Sequence, residues 1–319
     1  MTSRFSAAMP SRRASQRRAV ITGVNGFVGR HVAQSLTDAD WSVVGIGHDD
    51  QPTEHVGKFV DDYVSADLTR EWPSILAPDA VIHLAGLSAL TPSFAAPQTY
   101  ITVNSSMVTH MGEWLLERES PTRVLIVSSG AVYDTREQTP IDEDRRTRTV
   151  SPYAVSKVLV EKQAEYYAAR GLDMVVARPF NHIGPGQTTG FLLPDLLAGV
   201  QASGERPMVV GDLGTRRDYT DVRDVANAYR LLVESDLGDD RVFNVCSGRP
   251  VAGSELLEEL LRALGRGPID LIVDEDRFRP TDPREVRGDA GLLRARTGWS
   301  PTISLEQTVR DFVAAALTE

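Results

Sequence analysis

The sequence predicts an α/β fold: a doubly wound parallel sheet with a smaller domain toward the C-terminal end. Three observations predict it. Short β-branched runs alternate with helical stretches through the first half of the 319-residue chain. Those runs are apolar along their whole length, as strands buried on both faces are. The loop "GVNGFVG", residues 23–29, places three glycines between the first apolar run and the first helical stretch.

Each element follows from local pattern. "RAVITG" reads as a first strand, and "FVGRHVAQSLTD" as a helix with Phe27, Val28, His31, Val32, Ser35 and Leu36 on one face. "WSVVGIG" is a second strand, "KFVDDYVSADL" contains a third, and "DAVIHLAG" holds a fourth. A long helix is expected within 93–118, then the strand "RVLIVSS", a helix over about 152–169 and the strand "LDMVVARPF". Beyond Pro179 the chain is richer in Gly and Pro. Helices are expected near 189–203, 221–235 and 253–265, and "RVFNVCSG" reads as one more strand. The chain should therefore leave the sheet after Phe180, return around 221–246 and leave again. The expected division is a basic arm over 1–17, a dinucleotide-binding unit over 18–180 plus about 221–246, and a substrate-binding unit over 181–220 plus 247–319.

Charge and composition exclude several functions. Net charge is −10, yet the first 18 residues carry Arg4, Arg12, Arg13, Arg17 and Arg18 and no acid. The rest is thus strongly acidic and would repel nucleic acid. The arm "SRRASQRR" reads as a disordered extension, with a targeting or nucleic-acid-binding tail as the alternative. No run reaches the roughly 18 apolar residues of a membrane helix. The single cysteine, Cys246, cannot form an internal disulfide and suits a reducing, cytoplasmic setting. No Cys, His or acid spacing suggests a metal site.

The three glycines suit the phosphates of a dinucleotide. Gly23 lets the chain turn out of the strand, Gly26 lets backbone N–H groups approach a pyrophosphate, and Gly29 lets the helix pack close. An acid at the end of the second strand would hold the adenosine ribose. Here the strand ends "VVGIGHDD". With Gly47 in the acid's place there is room for a 2′-phosphate, which His48 or Arg30 would meet. That register favours NADP(H) over NAD(H); a slip of one or two residues makes Asp49 the ribose ligand instead.

"SPYAVSK" puts Tyr153 and Lys157 on one helical face. The chain holds only three lysines and eight tyrosines, so chance rarely gives this spacing. A phenol titrates near pH 10 and needs a neighbouring cation to act as a base near neutrality. Tyr153 can then move a proton to or from an alcohol oxygen while hydride moves at carbon. Ser129, at the end of "LIVSSGAVY", is the expected hydrogen-bond partner of that oxygen.

These segments occur in an order that resembles the extended short-chain dehydrogenase/reductase family. "HLAG", "VSSGAVY", "SPYAVSK", "RPFNHIGPGQ", "RRDYTDVRDV", "FNVCSG" and "RPTDP…TGWSP" carry the resemblance, over about residues 17 to 315. "RPFNHIGPGQTTGF" and "DYTDVRDV" look most like its GDP-6-deoxy-4-keto-mannose reductase and GDP-mannose dehydratase branch. The resemblance implies a Rossmann-like domain, a smaller C-terminal substrate-binding domain for a nucleotide-diphosphate sugar, and a homodimer through a four-helix bundle. Its cofactor residues would be Gly23, Asn25, Gly26, Phe27, Val28, Gly29, His48, Asp67, Leu68, Leu84, Ala85, Gly86, Tyr153 and Lys157. Ser129, Asn181, Arg217 and Arg279 would meet the substrate. His182 reads instead as a packed residue, Arg216 and Arg223 as surface charges or salt bridges, and Asp218, Asp221 and Asp224 as helix-start caps.

Dehydratases of this family carry acids just after the serine position. Here Gly130 and Ala131 stand there, and neither can carry a proton. The expected activity is therefore a nucleotide-sugar 4-ketoreductase, with NAD(P)H reducing C4 of an NDP-4-keto-6-deoxyhexose, GDP being the favoured nucleotide. The alternatives are a 4-epimerase that holds NAD tightly, and a non-catalytic dinucleotide-binding relative.

Overall fold

A computed structural model describes residues 16–136, 139–204, 206–278 and 283–318. The arm up to residue 15 and Arg279 lie outside the described residues. In the first half the strands are β1 (Arg18–Thr22), β2 (Ser42–Gly47), β3 (Asp62–Ser65), β4 (Ala80–His83), β5 (Arg123–Val127) and β6 (Asp173–Pro179). Short strands follow: β7 (Asn181–Ile183), β8 (Met208–Val210), β9 (Arg216–Asp221), β10 (Val242–Val245), β11 (Pro250–Ala252), β12 (Leu271–Val273) and β13 (Glu285–Val286).

Seven strands form one parallel sheet in the order β10-β6-β5-β4-β1-β2-β3. Strand order reverses between β1 and β4, so a crevice opens outside their carboxyl ends, where such sheets bind ligands. Consecutive residues of β1 face opposite layers. Ile21 packs with Val32 and Leu36 of α1 (Phe27–Asp38). Val20 packs in the other layer with Met107, Met111 and Leu115. Those three belong to the long helix expected within 93–118, observed as Pro97–Leu116 after a short helix Leu90–Ala95. Numbered in chain order, these two are α3 and α2. The next helix, α4 (Pro152–Ala169), starts as the sequence suggests: Pro152 occupies the first turn, and Ser151 Oγ accepts from Ala154 N at 3.1 Å. It packs beside α3 on this layer.

Past β6 the chain builds α5 (Leu192–Ser203), then returns through α6 (Val222–Glu234), which packs beside α1, and through β10. It leaves again into α7 (Gly253–Ala263), α8 (Gly291–Thr297) and α9 (Leu305–Ala316). A third core joins Leu193 and Leu197 of α5 to Leu256 and Leu260 of α7 and Phe312 of α9. Above it, β9 pairs with β7, β11 and β13, and β8 pairs with β12. No helix among the described residues is long and apolar enough to cross a membrane.

Candidate active site

The glycine loop closes the carboxyl end of β1. Gly23 has φ +68°, and a Cβ there would stand 2.9 Å from Ala85 N. A Cβ on Gly29 would stand 2.5 Å from Gly23 O and 2.6 Å from Val24 O. Only glycine permits this turn and this close seating of α1. Gly26 caps α1 in extended conformation and offers no side chain to its first N–H groups. Those donors, the positive end of the helix and the bare backbone suit a pyrophosphate. Phe27 and Val28 begin the helix; Phe27 stacks on His182 with ring centroids 5.9 Å apart. Across the crevice, Thr22 Oγ1 accepts from Leu84 N at 3.2 Å and Ala85 N at 3.1 Å. Its own proton then goes to His83 Nδ1, 2.9 Å away, which leaves the His83 proton on Nε2. Gly86 faces Asn104, whose Oδ1 accepts from Leu87 N at 2.8 Å and whose Nδ2 donates to Ser156 Oγ at 2.9 Å.

At the tip of β2, a Cβ on Gly47 would lie 2.4 Å from the Tyr63 hydroxyl, so a side chain there would require the Tyr63 ring to move. That hydroxyl donates to Asp49 O at 2.9 Å. Asn25 ties the same tip to the glycine loop, donating to Asp49 Oδ2 at 2.8 Å and Gln51 O at 3.1 Å and accepting from Thr53 N at 3.0 Å. The His48 side chain is 85% exposed and lies 3.6 Å from Asp49 Oδ1. Arg30 points elsewhere, donating to Gly186 O at 3.1 Å. Asp67 is exposed, and hydrogen bonds from Thr69 hold its carboxyl below the usual range. The Leu68 side chain is in the core, and its carbonyl accepts from His110.

Ser129, Tyr153 and Lys157 converge where β5 ends. Ser129 hydrogen-bonds the Tyr153 hydroxyl, and its Oγ also accepts from Ala131 N at 3.1 Å. Lys157 Nζ donates to Val127 O at 2.8 Å and lies 5.9 Å from the Tyr153 ring centroid. Burial raises the Tyr153 phenol above its ordinary value, the Ser129 hydrogen bond opposing. Burial lowers Lys157 to about 8, with Glu161 pushing back. Burial likewise takes His83 to about 3, helped by Lys157, so this histidine is neutral. Gly130 faces Phe180, whose ring a Cβ would meet at 3.1 Å, and Ala131 is exposed.

Asn181 stands opposite Tyr219 in the β7–β9 register. Tyr219 and Arg217 share a face of β9, which puts Asn181 and Arg217 on one side of the small sheet. Arg217 Nη1 donates to Arg216 O at 2.9 Å and Pro283 O at 3.0 Å. Arg216 pairs with Glu255 at 2.5 Å, and Arg223 with Asp221 at 2.8 Å and Asp311 at 2.7 Å. Of the three aspartates expected as caps, only Asp221 caps a helix, accepting from Arg223 N at 2.8 Å. Asp218 is fully buried and accepts from Ser247 N and Oγ, Gly248 N and Gly288 N. Asp224 accepts from Thr302 and Ile303. Both satisfy loop donors distant in sequence, which a local pattern cannot reveal.

Sequence reasoning also passed over Glu161, Arg178, Asn104 and Tyr63. Glu161 had a signal: it lies one helical turn beyond Lys157 on the same face. Arg178 had one too, as a lone charge in the apolar strand "MVVARPF".

Residues 19–246 match the NAD dependent epimerase/dehydratase family. A GDP-6-deoxy-D-mannose reductase from Pseudomonas aeruginosa is 34% identical over 306 residues, covering 92% of this chain and 95% of its own. A UDP-glucose 4-epimerase from Azospirillum brasilense is 30% identical over 317 residues, covering 92% and 90%. Among solved structures, that of RMD from Pseudomonas aeruginosa complexed with NADPH superposes with a TM-score of 0.78 at 31% identity, over 94% of this chain and 98% of that one. Likeness along nearly the whole chain settles the membership that the motifs suggested: the protein is an NAD(P)-dependent oxidoreductase and belongs to the NAD dependent epimerase/dehydratase family.

Proposed function

We propose that the protein is a nucleotide-sugar 4-ketoreductase acting on an NDP-4-keto-6-deoxyhexose, with GDP-4-keto-6-deoxymannose the favoured substrate. The observation that carries this is the convergence of Ser129, Tyr153 and Lys157 beside Gly130 and Ala131. Reduction of a ketone needs one proton donor and one hydrogen bond to the oxygen. Elimination of water needs an additional acid–base pair, and positions 130 and 131 carry none. The named activity of the Pseudomonas aeruginosa relative points the same way.

A bound nicotinamide supplies hydride to the sugar C4. The chain's own groups do the rest. Ser129 holds O4 by hydrogen bond. The phenol of Tyr153, kept protonated by burial at neutral pH, donates its proton to O4 as the alcohol forms. The Lys157 ammonium stabilises the phenolate left behind. Gly23, Asn25, Gly26, Phe27, Val28 and Gly29 hold the diphosphate side of the cofactor. Leu84, Ala85 and Gly86 flank it, and Asp67 and Leu68 meet the adenine. Gly47 carries no ribose-binding acid and His48 is exposed, which favours NADP(H); RMD was captured with NADPH. Asn181, Arg217 and Arg279 hold the substrate diphosphate. On this reading 18–180 plus about 221–246 bind the dinucleotide and 181–220 plus 247–319 the sugar nucleotide. A homodimer forms through α3 and α4, where Val155 and Tyr166 are exposed.

The test is direct. Incubation with GDP-4-keto-6-deoxymannose should consume one NADPH per sugar, read at 340 nm, with a lower KM for NADPH than for NADH. No absorbance change with either cofactor rejects the assignment. The likeness to a UDP-glucose 4-epimerase favours 4-epimerisation as a second reading, because Ser129, Tyr153 and Lys157 suffice for it. Product formed without net cofactor consumption, from protein that copurifies with NAD(H), would select it.

A further inference from the structure

Tyr153, Lys157 and Glu161 form one stripe on α4, each a helical turn beyond the last, and all three are buried. Each grips one of three successive residues at the end of β5. Lys157 holds the Val127 carbonyl at 2.8 Å, Glu161 Oε1 accepts from Ser128 Oγ at 2.5 Å, and Tyr153 bonds Ser129. The first and third grips belong to the site already described. The middle one is served from behind by β6: Arg178 Nε donates to Glu161 Oε1 at 2.9 Å and Nη2 to Oε2 at 2.7 Å. Arg178 Nη1 also donates to the Tyr133 hydroxyl at 3.0 Å, which donates to Asn244 Oδ1 at 2.7 Å. The carboxylate is therefore fixed in direction and shut off from water.

We propose that Glu161, anchored by Arg178, is a positioning residue that fixes the end of β5 against α4 and keeps the Lys157 ammonium charged and in place. Among the described residues, four groups face that ammonium. They are Tyr153 and Glu161 on α4, the neutral His83 at the end of β4, and the Val127 carbonyl. Of these, only Glu161 carries a compensating negative charge. A bidentate buried pair holds its geometry better than a single contact. Burial of the pair alone is weak evidence for stability, since an apolar pair of similar volume often serves as well. That equivalence supplies the test.

The inference rests on the ketoreductase reading only for its kinetic arm. The variant is Glu161→Met with Arg178→Met, which removes both charges while nearly keeping volume. The chain has three lysines, so protein grown on lysine labelled with 13C at Cε gives three resonances. Lys58→Arg and Lys162→Arg assign them. Lys157 should titrate near pH 8 in the parent. In the double variant it should titrate measurably lower, because Glu161 supports the Lys157 ammonium whereas the Arg178 charge lost with it is not among the charges acting on Lys157. The alkaline limb of kcat/KM should move down with it, and kcat should fall about tenfold or more with little change in KM for NADPH. A folded double variant with the parent's Lys157 titration and alkaline limb would overturn the proposal and leave the pair a structural tie. Should the double variant not fold, Ser128→Ala keeps both charges and frees Glu161 from β5. A lowered kcat at unchanged KM supports the proposal, and parental kinetics refutes it. The titration uses no substrate, so it stands even if the substrate assignment fails.

Discussion

At the end of β5, Tyr153 and Lys157 are buried and shifted from their ordinary titration; on α1, His31 is buried as deeply and lowered to about 4. The two regions differ in what the buried groups touch. Tyr153 faces the hydroxyl of Ser129 and an ammonium, at the mouth of a crevice made by the sheet's reversal. The His31 Nε2–H is spent on Pro185 O at 3.0 Å, and its ring packs edge-on against Phe27 at 6.0 Å. Beside it Arg30 donates to Gly186 O, and His182 stacks on Phe27. That seam fastens residues 181–187 to the helix behind the glycine loop. On the proposed reading, perturbed titration is thus shared by chemistry and packing, and the company of a second hydroxyl separates them.

The hardest test of that contrast is Tyr153→Phe. Turnover should fall at least about a hundredfold, the usual scale for loss of a general acid. Folding should change by no more than about 1 kcal/mol, one hydrogen bond's worth. Steady-state kinetics beside a urea melt reads both, and near-normal turnover would remove the phenol from the reaction. A smaller effect is expected on the small sheet. Arg217→Ala should raise KM for the sugar nucleotide roughly tenfold or more, the value of one charge-assisted contact, while kcat stays within about threefold. An unchanged KM would detach β9 from substrate binding.

Legibility followed the same divide. The Tyr153–Lys157 pair on α4 was readable because its spacing is local: two residues one turn apart on one face. The strands of the main sheet were readable because burial on both faces demands unbroken apolar runs. Strand β9 was not, since "RRDYTD" has no apolar rhythm and its partners β7, β11 and β13 lie 30 or more residues away. Glu161 was spaced correctly but passed over, because its burial depends on Arg178 from another element. At the tip of β2 the sequence showed that a carboxylate was missing from position 47. It could not show that the Tyr63 hydroxyl takes up the space.

The seam offers the last prediction, with the least expected effect on turnover. Burial takes His31 down from an ordinary 6.5 to about 4, with Arg30 pushing the same way and the Pro185 and Asp221 contacts opposing. The folded state therefore favours the neutral ring. Between those two values the unfolded chain binds more protons, so stability rises with pH there. This stabilisation is fully present above about pH 6.5 and is lost as acid passes through 4. The gap is worth at most about 3 kcal/mol. Urea midpoints from pH 7 to pH 4 should fall less steeply for His31→Gln, which can still donate to Pro185 but cannot take up a proton. Equal slopes would show that acid loosens the molecule elsewhere, with His83 the next candidate. A flattened slope with turnover at pH 7 close to the parent's would mark His31 as a fastening, and would leave the crevice at β5 as the place where buried titratable groups do chemistry.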